Sequence, residues 1–189
     1  MLLIRHGQSE FNVVYGETRQ DPGIRDPKLT AMGRQQALQA NKTLKPNPPD
    51  QIVSSPYWRA LETATIIADI LHLPITVTPL IAERAMFDCD IGTTASRLQR
   101  EFPNVDFMTL DKEVWWRDGE EDLESLNLRC QQFRSHCKAG LYKDVIVVSH
   151  WGFIGVLTNI RPKNCDIIHF DPTSDHPGGG KVVYHCDPC

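Results

Sequence analysis

Two histidines in this chain stand at places suited to chemistry. Leu3-Ile4-Arg5-His6-Gly7 and Val147-Val148-Ser149-His150-Trp151-Gly152 each carry an apolar strand straight into a histidine, with a glycine close behind. Open α/β sheets bind ligands beyond the carboxyl ends of their strands, so two histidines delivered there are expected to converge on one site. The repeated junction separates His6 and His150 from His72, His136, His169, His176 and His185. A third junction, Ser54-Ser55-Pro56-Tyr57-Trp58-Arg59, places Arg59 in the first turn of a helix. Backbone N–H groups are unpaired there and the helix dipole is positive, which suits an anion such as phosphate. Arg5 adds a second guanidinium, whose fork matches phosphate oxygens. Taken alone, Arg59 reads equally well as a surface arginine. Arg5 interrupts a buried strand end and requires a partner.

The elements that must position these residues follow from periodicity. Short buried strands are expected at Leu2–Arg5, Gln51–Ser54, Ile75–Thr78, Val145–Ser149, Asp166–Phe170 and Lys181–His185. A helix is expected over Thr30–Leu44 with Thr30 as cap, ended by Pro46, Pro48 and Pro49. Another starts at Pro56 with Ser55 as cap and runs to His72, burying Ala60, Ala64, Ile67, Ala68 and Leu71. A short helix fits Thr94–Phe102. The acidic run Glu120, Glu121, Asp122 opens a further helix to Lys138, whose core face is Leu123, Leu126, Cys130, Phe133 and Cys137. Trp151–Thr158 starts the next. Strands alternating with helices indicate an α/β sandwich around a largely parallel sheet.

Composition bounds the function. The chain has 189 residues, 20 Lys and Arg against 24 Asp and Glu, and a net charge of −4. That length favours one domain spanning 1–189. The balance is too mild for disorder and lacks the basic character expected of a nucleic-acid partner. No apolar run reaches the roughly 20 residues that span a bilayer, so no membrane partner is expected. Arg5 and His6 follow Met1–Ile4 at once and leave no room for a secretory h-region. The six cysteines are accordingly expected to be reduced and the setting cytoplasmic. Cys186 and Cys189 form a lone Cys-x-x-Cys without a second ligand pair, weak as a zinc or redox site.

The chain resembles the histidine phosphatase superfamily, also called the phosphoglycerate mutase-like family. Arg5-His6-Gly7-Gln8-Ser9-Glu10-Phe11-Asn12 is similar to its opening signature, R-H-G-x-[ST]-x-x-N. Asp26–Thr30, Gly33, Gln36 and Ala37 resemble the segment that follows. Ser54-Ser55-Pro56-Tyr57-Trp58-Arg59-Ala60-Leu61-Glu62-Thr63-Ala64 resembles S-S-P-x-x-R-A-x-[EQ]-T-A, and Val148–Gly152 its second histidine motif. These elements come in family order across most of the chain. The resemblance implies a three-layer α/β/α sandwich with a mostly parallel central sheet. It implies His6 as a nucleophile that carries a transient phosphoryl group. Its other ring nitrogen should then donate to a backbone carbonyl. Arg5, Arg59 and His150 would hold the phosphoryl oxygens, with Asn12 as a further donor. Glu83 matches the family's general acid. No metal and no cofactor are expected, and the partner is a small phosphorylated substrate.

The substrate side departs from the family. After Glu83 the family continues with a glycine, an aromatic and Glu-Gly, whereas this chain has Ala85-Met86-Phe87-Asp88-Cys89-Asp90-Ile91-Gly92. Asp88 and Asp90 are alternative acids. Trp115 and Trp116 read either as a wall over the pocket, with Arg117 or Arg97 touching a second anion, or as an aromatic anchor for the middle segment. Arg19, Arg25 and Lys28 are further candidates for substrate contact. The compact middle favours a phosphomonoester hydrolase over a phosphoglycerate mutase, which in this family carries an insertion. The Glu83-Arg84 pair, similar to one in mutases, keeps Arg84 as a substrate contact and the cofactor-dependent mutase as the alternative. An inactive binding or regulatory protein on the same fold is the alternative from another class.

Overall fold

The computed structural model describes residues 1–186. Cys189, half of the terminal Cys-x-x-Cys, lies outside them. The described residues form a seven-stranded sheet of β1 (Leu2–Arg5), β2 (Gln51–Ser54), β3 (Ile75–Val77), β4 (Val105–Asp106), β5 (Val145–Ser149), β6 (Ile167–Phe170) and β7 (Gly180–Tyr184). The order is β4-β3-β2-β5-β1-β6-β7. β1 to β5 run parallel, and β6 and β7 add an antiparallel edge. The helices are α1 (Glu10–Thr18), α2 (Ala31–Leu44), α3 (Trp58–Leu71), α4 (Ala95–Glu101), α5 (Leu123–Lys138) and α6 (Trp151–Thr158).

Alternation along each central strand builds two cores, because successive side chains point to opposite faces. Leu3, Val53, Val145, Val147 and Ile168 pack under α5 and α6, with Phe133, Phe153 and Leu157. Ile4, Ile52, Ile146, Val148 and Ile167 pack under α2 and α3, with Ala40, Ala60, Ala64 and Ile67. The three layers of the sandwich are therefore built from the two faces of the same short strands. A satellite cluster of Trp58, Leu61, Val77, Leu98, Phe107 and Leu110 carries α4.

Several elements differ from expectation. α3 starts at Trp58, two residues after Pro56. Ser55 does not cap it, since its hydroxyl is taken by His150. Asp26 accepts from Trp58 N at 2.9 Å in its place. Leu123, assigned to the core face of α5, is 59% exposed. It is the first residue of that helix, before the buried stripe begins at Leu126, and Asp122 caps the turn by accepting from Ser125 N at 2.7 Å. α1 was not foreseen. Its only buried residue is Phe11, so it carries little amphipathic signal.

One close approach fixes the loop behind His6. A Cβ on Gly33 would lie 2.1 Å from Gln8 O, and one on Gly7 would lie 2.4 Å from Gly33 O. Backbone meets backbone there, so neither position has room for a side chain. α2 is thereby seated directly against the turn that follows His6.

Candidate active site

The carboxyl ends of three neighbouring parallel strands deliver the site. Arg5 pairs with Ser149 in register, and Ser54 with Val148. The pairing continues one residue further, with His6 N donating to Ser149 O and Ser55 N to Val148 O, both at 3.0 Å. His6 and His150 are thus held rigidly side by side, their ring centroids 5.1 Å apart. Arg59 enters from the first turn of α3 and is buried.

His6 Nδ1 lies 2.7 Å from Gly7 O. A carbonyl only accepts, so Nδ1 carries the proton and Nε2 presents a lone pair. Burial, then the charges of Arg59 and Arg5, push the His6 pKa well below the usual imidazole value. The ring is therefore neutral and nucleophilic at neutral pH. Asn164 Nδ2 donates to His6 O at 2.9 Å and to Asn12 Oδ1 at 3.2 Å. Asn12 Oδ1 also accepts from Ser9 N at 3.1 Å, capping α1. With its oxygen committed, Asn12 has its amide N–H groups to offer.

His150 is buried, and its Nε2 lies 2.7 Å from Ser55 Oγ. Its Nδ1 is buried with no hydrogen-bond partner among the described residues, and so is Arg5 Nε. Buried polar atoms without partners are rare and costly. A tetrahedral oxyanion beside His6 would offer an acceptor to Arg5 Nε and, in the tautomer that protonates it, to His150 Nδ1. Arg5 is otherwise held by donation to Pro162 O at 3.0 Å, and burial pushes its pKa down to about 10.

Arg59 is oriented by the segment after Glu83. It donates to Cys89 O at 2.8 Å and to Asp90 Oδ1 at 3.0 Å. Burial opposes its charge, and Asp90 leads the opposite charges that outweigh this and raise its pKa. Asp90, weighed above as an alternative acid, is the ion-pair partner of Arg59. Its other oxygen accepts from Met86 N and Phe87 N at 3.1 and 3.2 Å. Asp90→Ala is expected to cost about 3–5 kcal/mol, because it strands a buried guanidinium. Urea unfolding measures this, and a loss under about 1 kcal/mol would contradict the pairing.

Glu83 reaches the same cavity. Its carboxylate accepts from Arg84 N at 2.8 Å and from Gly152 N at 3.0 and 3.2 Å. A Cβ on Gly152 would lie 2.4 Å from Glu83 Oε1, which explains the glycine after His150. Burial first, then Asp90, raises the Glu83 pKa above the ordinary carboxyl value despite these bonds. Arg129 fixes the backbone here by donating to Leu80 O, Ala82 O and Glu83 O at 3.0, 2.7 and 3.3 Å, while pairing with Glu121 at 2.6 Å. Sequence reasoning missed Arg129, Glu121 and Asn164. An arginine on the core side of α5 and an acid just before that helix were the available signals. For Asn164 there was none, because it lies in an irregular loop.

Arg5, His6, Asn12, Arg59, Glu83, Arg84 and Trp151 line one cavity of about 560 Å³. The tryptophan pair stands apart from it. Trp115 packs edge-on against Tyr57 at 4.8 Å, and its Nε1 donates to Thr93 O at 2.8 Å. Both indoles close over Gly92. Trp116 and Arg117 line a neighbouring hollow of about 410 Å³ with Asp21 and Arg25. The anchoring role weighed for Trp115 is the one this packing fits. Arg97 and Lys28 lie over the Trp58 ring, away from the cavity, whereas Arg19 lines it. Among the described residues, no group of three or more His, Cys, Asp or Glu side chains is arranged to hold a metal ion. No helix among them is long and apolar enough to cross a membrane.

A family model described as the histidine phosphatase superfamily (branch 1) matches residues 1–174. A glucosyl-3-phosphoglycerate phosphatase of Mycolicibacterium vanbaalenii is 30% identical over 166 residues, covering 84% of this chain and 72% of that protein. A probable phosphoglycerate mutase of an Enterobacter strain is 28% identical over 193 residues, covering 89% and 83%. The solved ecdysone phosphate phosphatase from Bombix mori, in complex with tungstate, superposes with a TM-score of 0.68 at 17% identity, covering 100% of this chain and 93% of that one. At that identity the likeness speaks for the fold.

Proposed function

Since the chain belongs to the histidine phosphatase superfamily, we propose that it hydrolyses a small phosphomonoester through a phosphohistidine. The observation that carries this reading is the His6 tautomer, pinned by Gly7 O with Nε2 left to attack. His6 Nε2 attacks phosphorus and forms the N–P bond as the P–O bond to the alcohol breaks. Glu83, whose pKa burial raises above the ordinary carboxyl value, gives its proton to the departing oxygen. The resulting carboxylate then takes a proton from water, whose oxygen attacks phosphorus. The N–P bond breaks, phosphate leaves and His6 is restored.

Charge on the transferring group is met by Arg5, Arg59, His150 Nδ1 and the Asn12 amide. Fixed donors in a dry site need no reorganisation as that charge develops. His150 supports this role through its tautomer. When Ser55 Oγ–H donates to Nε2, Nδ1 carries the proton and lacks an acceptor until a phosphoryl oxygen arrives.

The purified protein should release inorganic phosphate from a small phosphomonoester. The Glu83-Arg84 pair and the mutase-like relative favour mutase action as the second reading. Incubation with 3-phosphoglycerate, with and without 2,3-bisphosphoglycerate, separates the two. Rapid formation of the 2-phospho isomer would replace hydrolysis with mutase action.

A further inference from the structure

Beyond its phosphate end, the cavity is walled by side chains that the chemistry above does not use. Phe11 and Tyr15, four residues apart on α1, stack with centroids 5.1 Å apart. Phe87 completes the group at 5.5 Å from Phe11 and 5.2 Å from Tyr15. All three line the cavity that holds His6. Met86 and Trp151 line it too, and stand 42% and 46% exposed. Apolar surface left to water at the mouth of a cleft marks a place for an apolar ligand group.

Cationic groups on this side are partly committed. Arg84 Nε donates to Glu121 O at 2.8 Å, and the Arg19 guanidinium lies 5.8 Å over the Tyr15 ring. The volume of about 560 Å³ falls among clefts that enclose a drug-sized molecule, at roughly 300–1,000 Å³. A three-carbon sugar acid would leave much of it unfilled.

We infer that the alcohol released by this enzyme carries an aromatic ring, which lies against Phe11, Tyr15 and Phe87 while the phosphoryl group sits at His6. This rests on the phosphatase reading and names its substrate class. Aromatic pairs prefer offset or edge-to-face contact with centroids about 4.5–7 Å apart. The spacings within this trio already match that range, so a ring joining it extends an existing cluster.

The test compares 2-phenylethyl phosphate, ethyl phosphate and 3-phosphoglycerate as substrates of the full-length protein. The first two release alcohols of similar acidity, so their ratio of kcat/KM reads the ring and not leaving-group reactivity. That ratio is expected to be about tenfold or more, with 3-phosphoglycerate also below 2-phenylethyl phosphate. In Tyr15→Ala and in Phe87→Leu, which keeps apolar volume, the ratio should fall to about threefold or less. Taken within one variant, it cancels any general loss. Hydrolysis of ethyl phosphate or 3-phosphoglycerate as efficiently as of 2-phenylethyl phosphate overturns the ring pocket and leaves the phosphatase standing. Variants that keep the wild-type ratio also overturn it. Failure to hydrolyse any of the three overturns both.

Discussion

His6→Ala is expected to abolish phosphate release, a loss on the order of 10⁶-fold, the scale on which a nucleophile acting as part of a unit is lost. The physical reason lies in how completely the surroundings serve one ring nitrogen. Gly7 O holds the tautomer, Asn164 holds the His6 carbonyl, and burial, with Arg59 and Arg5, keeps the imidazole neutral. No other group in the cavity offers a neutral nitrogen lone pair in that setting. His150 comes nearest, but its Nε2 is engaged by Ser55. Since His6 is neutral, its removal strands no countercharge. The variant should melt near the wild type, which thermal denaturation checks. Undiminished turnover by a folded His6→Ala protein would remove the catalytic assignment.

Glu83→Gln should cost about 10²–10⁴-fold in kcat/KM for esters of alkyl alcohols, the usual worth of general acid–base catalysis. The loss should be much smaller with 4-nitrophenyl phosphate, whose leaving group departs without a proton. The pH profile supplies a second sign. Burial raises the Glu83 pKa, so its proton is lost, and alkyl-ester cleavage with it, as pH climbs through a value above 4.5. Burial and two arginines lower the His6 pKa, so protonation disables the nucleophile only as pH falls through a value below 6.5. Glu83→Gln should erase the alkaline limb and leave the acid limb in place. Activity within about threefold of wild type on alkyl esters would point to another acid.

Much of this site was legible because its residues sit at strand ends. A buried strand running into Arg-His or Ser-His fixes both position and direction; β5 falls at the expected bounds, and α6 begins at Trp151 as expected. Arg59 was legible for the same reason, although α3 starts two residues late. The cap comes from Asp26, a residue 32 positions away that no local pattern could reveal. The partnership of Asp90 with Arg59 was hidden likewise, since it joins an irregular segment to a helix. Leu123 misled because helical periodicity extends the apolar stripe into a first turn that water still reaches. The aromatic wall escaped notice because Phe11, Tyr15 and Phe87 come from two segments without a shared period.

The net charge of −4 over 189 residues gave no hint of an anionic substrate. The charge that matters is local. Arg5, His6 and Arg59 line one cavity beside His150, and Asp90 holds the buried Arg59 guanidinium there.

The most direct measurement is to quench the enzyme in alkali during turnover of a phosphomonoester and locate the phosphoryl group by mass spectrometry. The result expected is an adduct stable in alkali and labile in acid, on the peptide that contains His6 and absent from His6→Ala. An alkali-labile adduct, or a phosphoryl group on His150 with His6 unmodified, would contradict the proposed mechanism.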